Sequence, residues 1–225
     1  MLKMVEKFDY LIVGAGFTGS VLAERLNSIG KKVLLVDKRN HIGGNCYDYF
    51  DKYGVLTHKY GPHYFRTKFQ KVWDYLSQFT EWIPYEARIK SSINNELYPI
   101  PINRNTLNLF FNINLETEEQ VREFLDSKKE NIQNPKNAEE QVLANAGREI
   151  YNAFFKNYTI KQWQTDPKNL DASITSRISI RTNDDDRLFD YNLQAMPKEG
   201  YFKIFKNMLK NIKILLNTDF KNIKN

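Results

Sequence analysis

The sequence predicts an α/β fold, a parallel sheet interrupted by an inserted helical domain, with fewer strands than a complete sheet normally carries. Three observations predict it. Phe8-Asp9-Tyr10-Leu11-Ile12-Val13 is a short, nearly continuous apolar run, the pattern of a strand buried on both faces. A glycine turn, a helical stretch and a second apolar run, Val33-Leu34-Leu35-Val36, follow at once, and a compact βαβ unit requires parallel pairing. Residues 104–170, by contrast, carry helical periodicity and no strand pattern of their own.

Each element has its own signal. The first helix carries apolar Val21, Leu22, Leu26 and Ile29 and ends at Gly30, a residue suited to the left-handed cap. Phe69, Val72, Trp73, Leu76 and Phe79 recur at helical spacing. Thr117-Glu118-Glu119-Gln120 reads as a capping box, and Asn137 with Glu140 opens a longer helix through Val142, Ala146, Ile150, Phe154 and Tyr158. Strand patterning returns from Arg177. Tyr201, Ile204, Phe205, Met208, Leu209 and Ile212 then form an amphipathic helix, followed by a strand at Ile214-Leu215-Leu216. The domain reading is therefore 1–103 for the first part of the sheet domain, 104–170 for the insert, and 171–225 for a return to the sheet through a loop, a helix and a strand. The sheet is expected to stop on an unpaired strand near Ile212–Leu216, with its remainder missing.

Composition narrows the function classes. The formal charge of +6 comes from lysines scattered at helical and loop spacings, which reads as a solvated surface and not a nucleic-acid face. The single cysteine, Cys46, rules out an internal disulfide and has no His–Asp arrangement to activate it, so it reads as a small filler residue. No run approaches the ~20 apolar residues of a membrane span and no signal peptide is recognisable, so the expected location is cytoplasmic. No metal-ligand cluster and no Ser-His-Asp set is apparent.

Gly14-Ala15-Gly16-Phe17-Thr18-Gly19 fits G-x-G-x-x-G and lies between the first strand and its helix, and Asp37 closes the second strand. In that register Gly14 makes the tight turn, Gly16 admits a pyrophosphate, Gly19 lets helix and strand pack, and Asp37 takes ribose hydroxyls. The helix start, including Phe17 and Thr18, offers its N–H groups to the phosphates. The fingerprint alone leaves nicotinamide and flavin open. The continuation Asp37-Lys38-Arg39-Asn40-His41-Ile42-Gly43-Gly44-Asn45 resembles the extended FAD-binding motif of glutathione-reductase-like flavoproteins, so a Rossmann-like FAD-binding sheet is expected, with Lys38, Arg39, Gly43, Gly44 and Asn45 at the cofactor.

Three further stretches resemble the UDP-galactopyranose mutase family: His58-Lys59-Tyr60-Gly61-Pro62-His63-Tyr64-Phe65, Leu97 to Thr106, and Phe154 to Trp163. The resemblance runs from Phe8 to about Phe220. It implies that His63 and Tyr64 lie at the flavin, with His63 and Arg177 as catalytic positions. It also implies that Asn103, Phe154, Tyr158, Thr159, Trp163 and Arg177 bind substrate, aromatic faces suiting a planar base and Arg177 the diphosphate. The implied reaction interconverts UDP-galactopyranose and UDP-galactofuranose without net redox, by attack of reduced FAD through flavin N5 on the anomeric carbon. Thr182, Leu188 and Ala195 depart from the family pattern. The family also runs longer, with a second arginine, tyrosines and a late glycine segment that this sequence lacks. An inactive truncated chain, a homodimer and a completing C-terminal chain all stay open. So do an amine-oxidase-like flavin oxidoreductase and a non-catalytic remnant.

Overall fold

The computed structural model describes residues 6–223. The chain falls into two compact units, Met1–Tyr85 with Tyr191–Asn225, and Glu86–Asp190. In chain order the first unit holds β1 (Tyr10–Val13), α1 (Phe17–Ser28), β2 (Val33–Val36), β3 (Asp48–Phe50), β4 (Leu56–His58), β5 (Phe65–Thr67), α2 (Gln70–Leu76) and β6 (Trp82–Pro84). The second holds β7 (Ile89–Ile93), β8 (Glu96–Ile100), α3 (Arg104–Phe111), α4 (Glu118–Lys128), α5 (Ala138–Ile150), a π-helical turn (Tyr151–Lys156), α6 (Asn157–Trp163) and α7 (Ser173–Ser176). The first unit is completed by β9 (Leu193–Pro197), α8 (Tyr201–Met208) and β10 (Lys213–Leu215).

In the first unit β1 and β10 both run parallel to β2, in the order β1-β2-β10. The last strand is thus paired with β2 through Ile214 and Leu215, which corrects the expectation of an unpaired strand: its free edge is only the outer one. A second sheet joins β5 and β6 antiparallel to β9, where Ala195 faces Phe65. One face of the parallel sheet packs Ile12, Val33 and Leu35 against Ile204, Phe205 and Met208 of α8. The Phe17 ring, 4.6 Å from that of Phe205, ties α1 to α8. On the opposite face Val36 of the central strand is fully buried, but the expected two-sided burial of β1 is not met, since Leu11 is 43% and Val13 57% exposed, and Leu215 of β10 on the far side of β2 is exposed as well. The apolar run that signals two-sided burial is real, but within the described residues only one of its sides is covered. The α1 stripe also differs: Ser20 and Ala23 are buried, whereas Leu22 and Ile29 are exposed, because small residues let the helix lie close to the sheet.

Asp48 anchors α8 from far away in sequence. Its buried carboxylate accepts hydrogen bonds from the N–H groups of Tyr201 (2.6 Å) and Phe202 (2.7 Å), the unsatisfied donors of the helix start. Asp48→Ala leaves the buried Tyr201 N–H and the partly buried Phe202 N–H without their acceptor and is expected to destabilise the chain by about 2 kcal/mol, read as a lower urea midpoint.

The second unit begins earlier than the periodicity suggested. The β7–β8 hairpin turns on Asn94 and Asn95, both at positive φ as a two-residue type I′ turn requires. Tyr98 of β8 is buried with Leu107, Val121, Val142, Ile150 and Phe155, so the hairpin shares the helical core. The capping box at Thr117 and Gln120 forms as read, and the Asn137 side chain accepts from the Glu140 N–H at 2.9 Å. The long helix expected from Asn137 is broken. Gly147 sits at φ 82° and ψ 176°, and the chain continues as the π-helical turn. Buried Glu139 braces this break through Arg148 (2.7 Å) and the Tyr151 hydroxyl (3.0 Å). Burial, reinforced by that carboxylate, pushes the Tyr151 phenol up.

The strand patterning that returns after Arg177 is realised at β9, and the 181–187 loop before it is an ion-pair network. Arg88 holds Asp186, Arg104 holds Asp184, and Arg187 holds Asp185 at 2.9 Å. Thr182 bonds Glu118, and the Leu188 N–H donates to the Ala87 carbonyl. Hydrogen bonding from Arg187 lowers the Asp185 carboxyl to about 2. A depressed folded-state pKa means that this stabilisation is present above the ordinary value of 3.8 and fades as pH falls toward 2. Asp185→Asn should remove that part of the acid-unfolding profile, so its stability should fall less steeply than wild type between those values.

Candidate functional site

The glycine turns converge in the first unit. Gly16 opens α1 with no side-chain cap, and no acidic residue lies in the first helical turn, so the helix start is left to an anion from outside the chain. A Cβ on Gly44 would stand 3.0 Å from the Gly16 Cα, so the Gly14–Gly19 and Gly43–Gly44 turns meet backbone to backbone. Gly43 and Gly44 both have positive φ. Beside them a cleft of about 320 Å³ is lined by Gly14, Asp37, Lys38, Arg39, Gly44, Asn45 and the 218–220 segment.

Asp37 is buried and its carboxylate accepts from the Ala15 N–H (2.7 Å) and the Arg39 N–H (2.8 Å), which holds it at the strand end. Each oxygen keeps a lone pair for a ribose hydroxyl. Phe17 contributes only backbone to this region, because its ring belongs to the core with Phe205 and Tyr201. Thr18 and Lys38 are exposed.

Thr218, Asp219 and Phe220 also line the cleft, and nothing in the sequence reading singled them out. The Thr218 N–H donates to the Asp37 carbonyl and the Asn217 N–H to the Arg39 carbonyl, both at 2.9 Å. The available signal was topological: a third parallel strand brings the residues after its carboxyl end to the same crevice as those after the first two.

His63 and Tyr64 belong to the loop between β4 and β5. The His63 Nδ1 is 2.9 Å from the Gly61 carbonyl, which can only accept, so Nδ1 carries the proton and donates. Tyr64 stacks on Tyr85 at 5.6 Å. Cys46 is half-buried, and burial followed by the Asp48 carboxylate pushes its thiol up, which suits a filler role.

In the second unit the expected substrate residues separate by environment. Phe154 is 9% exposed and packs edge-on to Tyr98 (5.5 Å) and Phe110 (5.1 Å). Tyr158, four residues on, is 56% exposed and Trp163 44%, and neither rests on another ring among the described residues. The two aromatic positions read as one helical face therefore divide into a core ring and an open one, because the π turn intervenes. Thr159 is buried. Asn103 is fully buried: its Oδ1 caps α3 by accepting from the Thr106 N–H (2.9 Å), and its Nδ2 donates to the Asp185 carbonyl (3.2 Å). Arg177 follows α7, is exposed, and makes no ion pair with any described residue. No cluster of metal-ligating side chains occurs among the described residues, and no described helix is long and apolar enough to cross a membrane.

Strand, glycine turn, helix and terminal acid in one parallel sheet define a Rossmann-like dinucleotide-binding protein, and a family model described as an NAD(P)-binding Rossmann-like domain matches residues 12–79. A second, described as UDP-galactopyranose mutase, matches residues 153–225. A probable UDP-galactopyranose mutase of Klebsiella pneumoniae is 42% identical over 94% of this chain and 56% of its own. A dTDP-fucopyranose mutase of Escherichia coli is 37% identical over 88% and 53%. The crystal structure of reduced UDP-galactopyranose mutase superposes with a TM-score of 0.71 at 21% identity, over 94% of this chain and 49% of that one. Over the part that it spans, about half the length of the curated relatives it matches, the chain is similar to UDP-galactopyranose mutases.

Proposed function

We propose that the whole protein is an FAD-dependent mutase that interconverts the pyranose and furanose forms of a pyrimidine nucleoside diphosphate sugar, with UDP-galactose as the first choice. The observation that carries this reading is the cleft beside the two abutting glycine turns, lined by Gly14, Gly44 and the buried strand-end Asp37. Reduced FAD, when bound, would supply the nucleophile for the anomeric carbon at flavin N5.

The chain's own residues bind and orient. Gly14, Gly16, Gly19 and the start of α1 receive the pyrophosphate, Asp37 the ribose, and Lys38, Arg39 and Asn45 the flank of the cleft. His63 and Tyr64 are assigned to the flavin end. In the second unit Tyr158 and Trp163 offer open ring faces for the base, and Thr159 and Phe154 support them from the core side. Arg177, without a carboxylate partner, is assigned to the diphosphate, where its planar fork pairs with two oxygens. Asn103 shapes the start of α3 and the 183–187 loop. Two names among the relatives, one a UDP-galactopyranose and the other a dTDP-fucopyranose mutase, keep both uracil and thymine within the class to be tested.

Calorimetric titration of UDP and of dTDP into wild type and Trp163→Ala tests this. The variant is expected to bind about tenfold more weakly, within the range for loss of one aromatic–base stack. Equal affinities would remove Trp163 from the site. The isolated 225 residues are expected to turn over UDP-galactofuranose with FAD and dithionite far more slowly than a full-length relative, because Arg177 is the single diphosphate-facing arginine assigned here.

A further inference from the structure

We propose that His41 and Tyr60 form a positioning pair that fixes the Arg39 guanidinium against the ADP moiety of the bound dinucleotide. The inference rests on the dinucleotide reading of the cleft. Arg39 lines that cleft, and its guanidinium carbon lies 4.7 Å from the centre of the Tyr60 ring. Its Nη2 donates to Asn45 Oδ1 at 2.8 Å. No carboxylate among the described residues forms an ion pair with the guanidinium, and Asp37 takes the backbone N–H of Arg39, not its side chain. A ring face and a neutral amide orient the cation without neutralising it, so its charge remains available to a phosphate.

The ring that does the orienting is itself held. The Tyr60 oxygen lies 2.8 Å from His41 Nε2. His41 Nδ1 is 3.0 Å from the Ile42 carbonyl oxygen, which can only accept. Nδ1–H therefore donates to that carbonyl, and in this tautomer Nε2 accepts from the Tyr60 hydroxyl. His41 is buried and stacks on Tyr47 with centroids 4.0 Å apart at 17°. The ammonium of Lys59, 5.6 Å from the Tyr60 centroid, adds a second cation to the same ring. A buried histidine thus fixes an exposed tyrosine, and the tyrosine fixes an arginine whose stem would otherwise sample many rotamers. Neither His41 nor Tyr60 lines the cleft, so both act through Arg39 and are positioning residues.

The test is a set of titrations with ADP and with FAD on the full chain. Wild type is compared with Tyr60→Phe, His41→Phe, Arg39→Ala and the double variant Tyr60→Phe/Arg39→Ala, with thermal unfolding in parallel. Tyr60→Phe removes one oxygen and keeps the ring. It is expected to weaken ADP about fivefold, as a coupled pair would, and to cost nothing further once Arg39 is alanine. A wild-type affinity for Tyr60→Phe overturns the proposal. So does the same fivefold loss in the Arg39→Ala background, which would mark a general effect on the fold. Should His41→Phe fail to fold, Tyr60→Phe decides alone. Binding of ADP without FAD by wild type would sink the flavin reading while the ADP series still decides this one. Binding of neither would overturn both.

Discussion

Gly19→Ala is expected to destabilise the chain by about 3 kcal/mol or more and to abolish dinucleotide binding, whereas Gly16→Val should abolish binding and leave the fold nearly intact. A Cβ at Gly19 would stand 1.9 Å from the Gly14 carbonyl oxygen and 3.1 Å from its carbon. Both are main-chain atoms, so the turn itself must open and β1 must part from α1. At Gly16 the nearest atom to an added Cβ is the Gly44 Cα at 3.8 Å, an ordinary contact. The backbone there, φ −80° and ψ −173°, suits any residue. The methyl groups of valine would instead crowd the start of α1, where the pyrophosphate is assigned. Circular dichroism melting with flavin fluorescence separates the two effects. Equal melting temperatures for Gly19→Ala and wild type would show that the close packing is not required.

The second large effect is expected at Gly147→Ala, about 3–5 kcal/mol lost from the second unit. Two penalties coincide there. The conformation, φ 82° and ψ 176°, is one that essentially only glycine adopts, and the new Cβ would lie 2.1 Å from the Lys128 carbonyl oxygen at the end of α4. Relief requires α4 and α5 to separate, which unpacks Val121, Leu125 and Val142 from Tyr151. Hydrogen exchange should show lost protection over 121–156 and unchanged protection over 10–36, because the two units have separate cores. Uniform loss across both would contradict that division.

What the sequence made legible was local chemistry. The G-x-G-x-x-G turn, the acid at the strand end, the Thr117 capping box and the apolar face of α8 all declare themselves within a few residues, and they stand as read. What stayed hidden depends on distant partners. Asp48 looks like a polar loop residue until Tyr201 and Phe202 present their N–H groups to it. Gly147 falls within an uninterrupted apolar periodicity, so nothing local marks the kink that sends Phe154 into the core and leaves Tyr158 in the open. The hairpin at Ile89–Ile100 carries its turn signal in two asparagines instead of Asn-Gly, and Tyr98 reveals its allegiance only through the core it enters. Phe220 and its neighbours reach the cleft because β10 lies beside β2, a neighbour that no spacing in the sequence specifies.

The central claim is that the cleft beside the abutting glycine turns holds FAD. Equilibrium titration of FAD into the purified chain, followed by quenching of flavin fluorescence, tests it most directly when wild type and Gly16→Val are compared at matched folding. Wild type is expected to bind one-to-one with saturation, and the variant is expected not to saturate. Indistinguishable curves, or saturation by NAD with none by FAD, would contradict it.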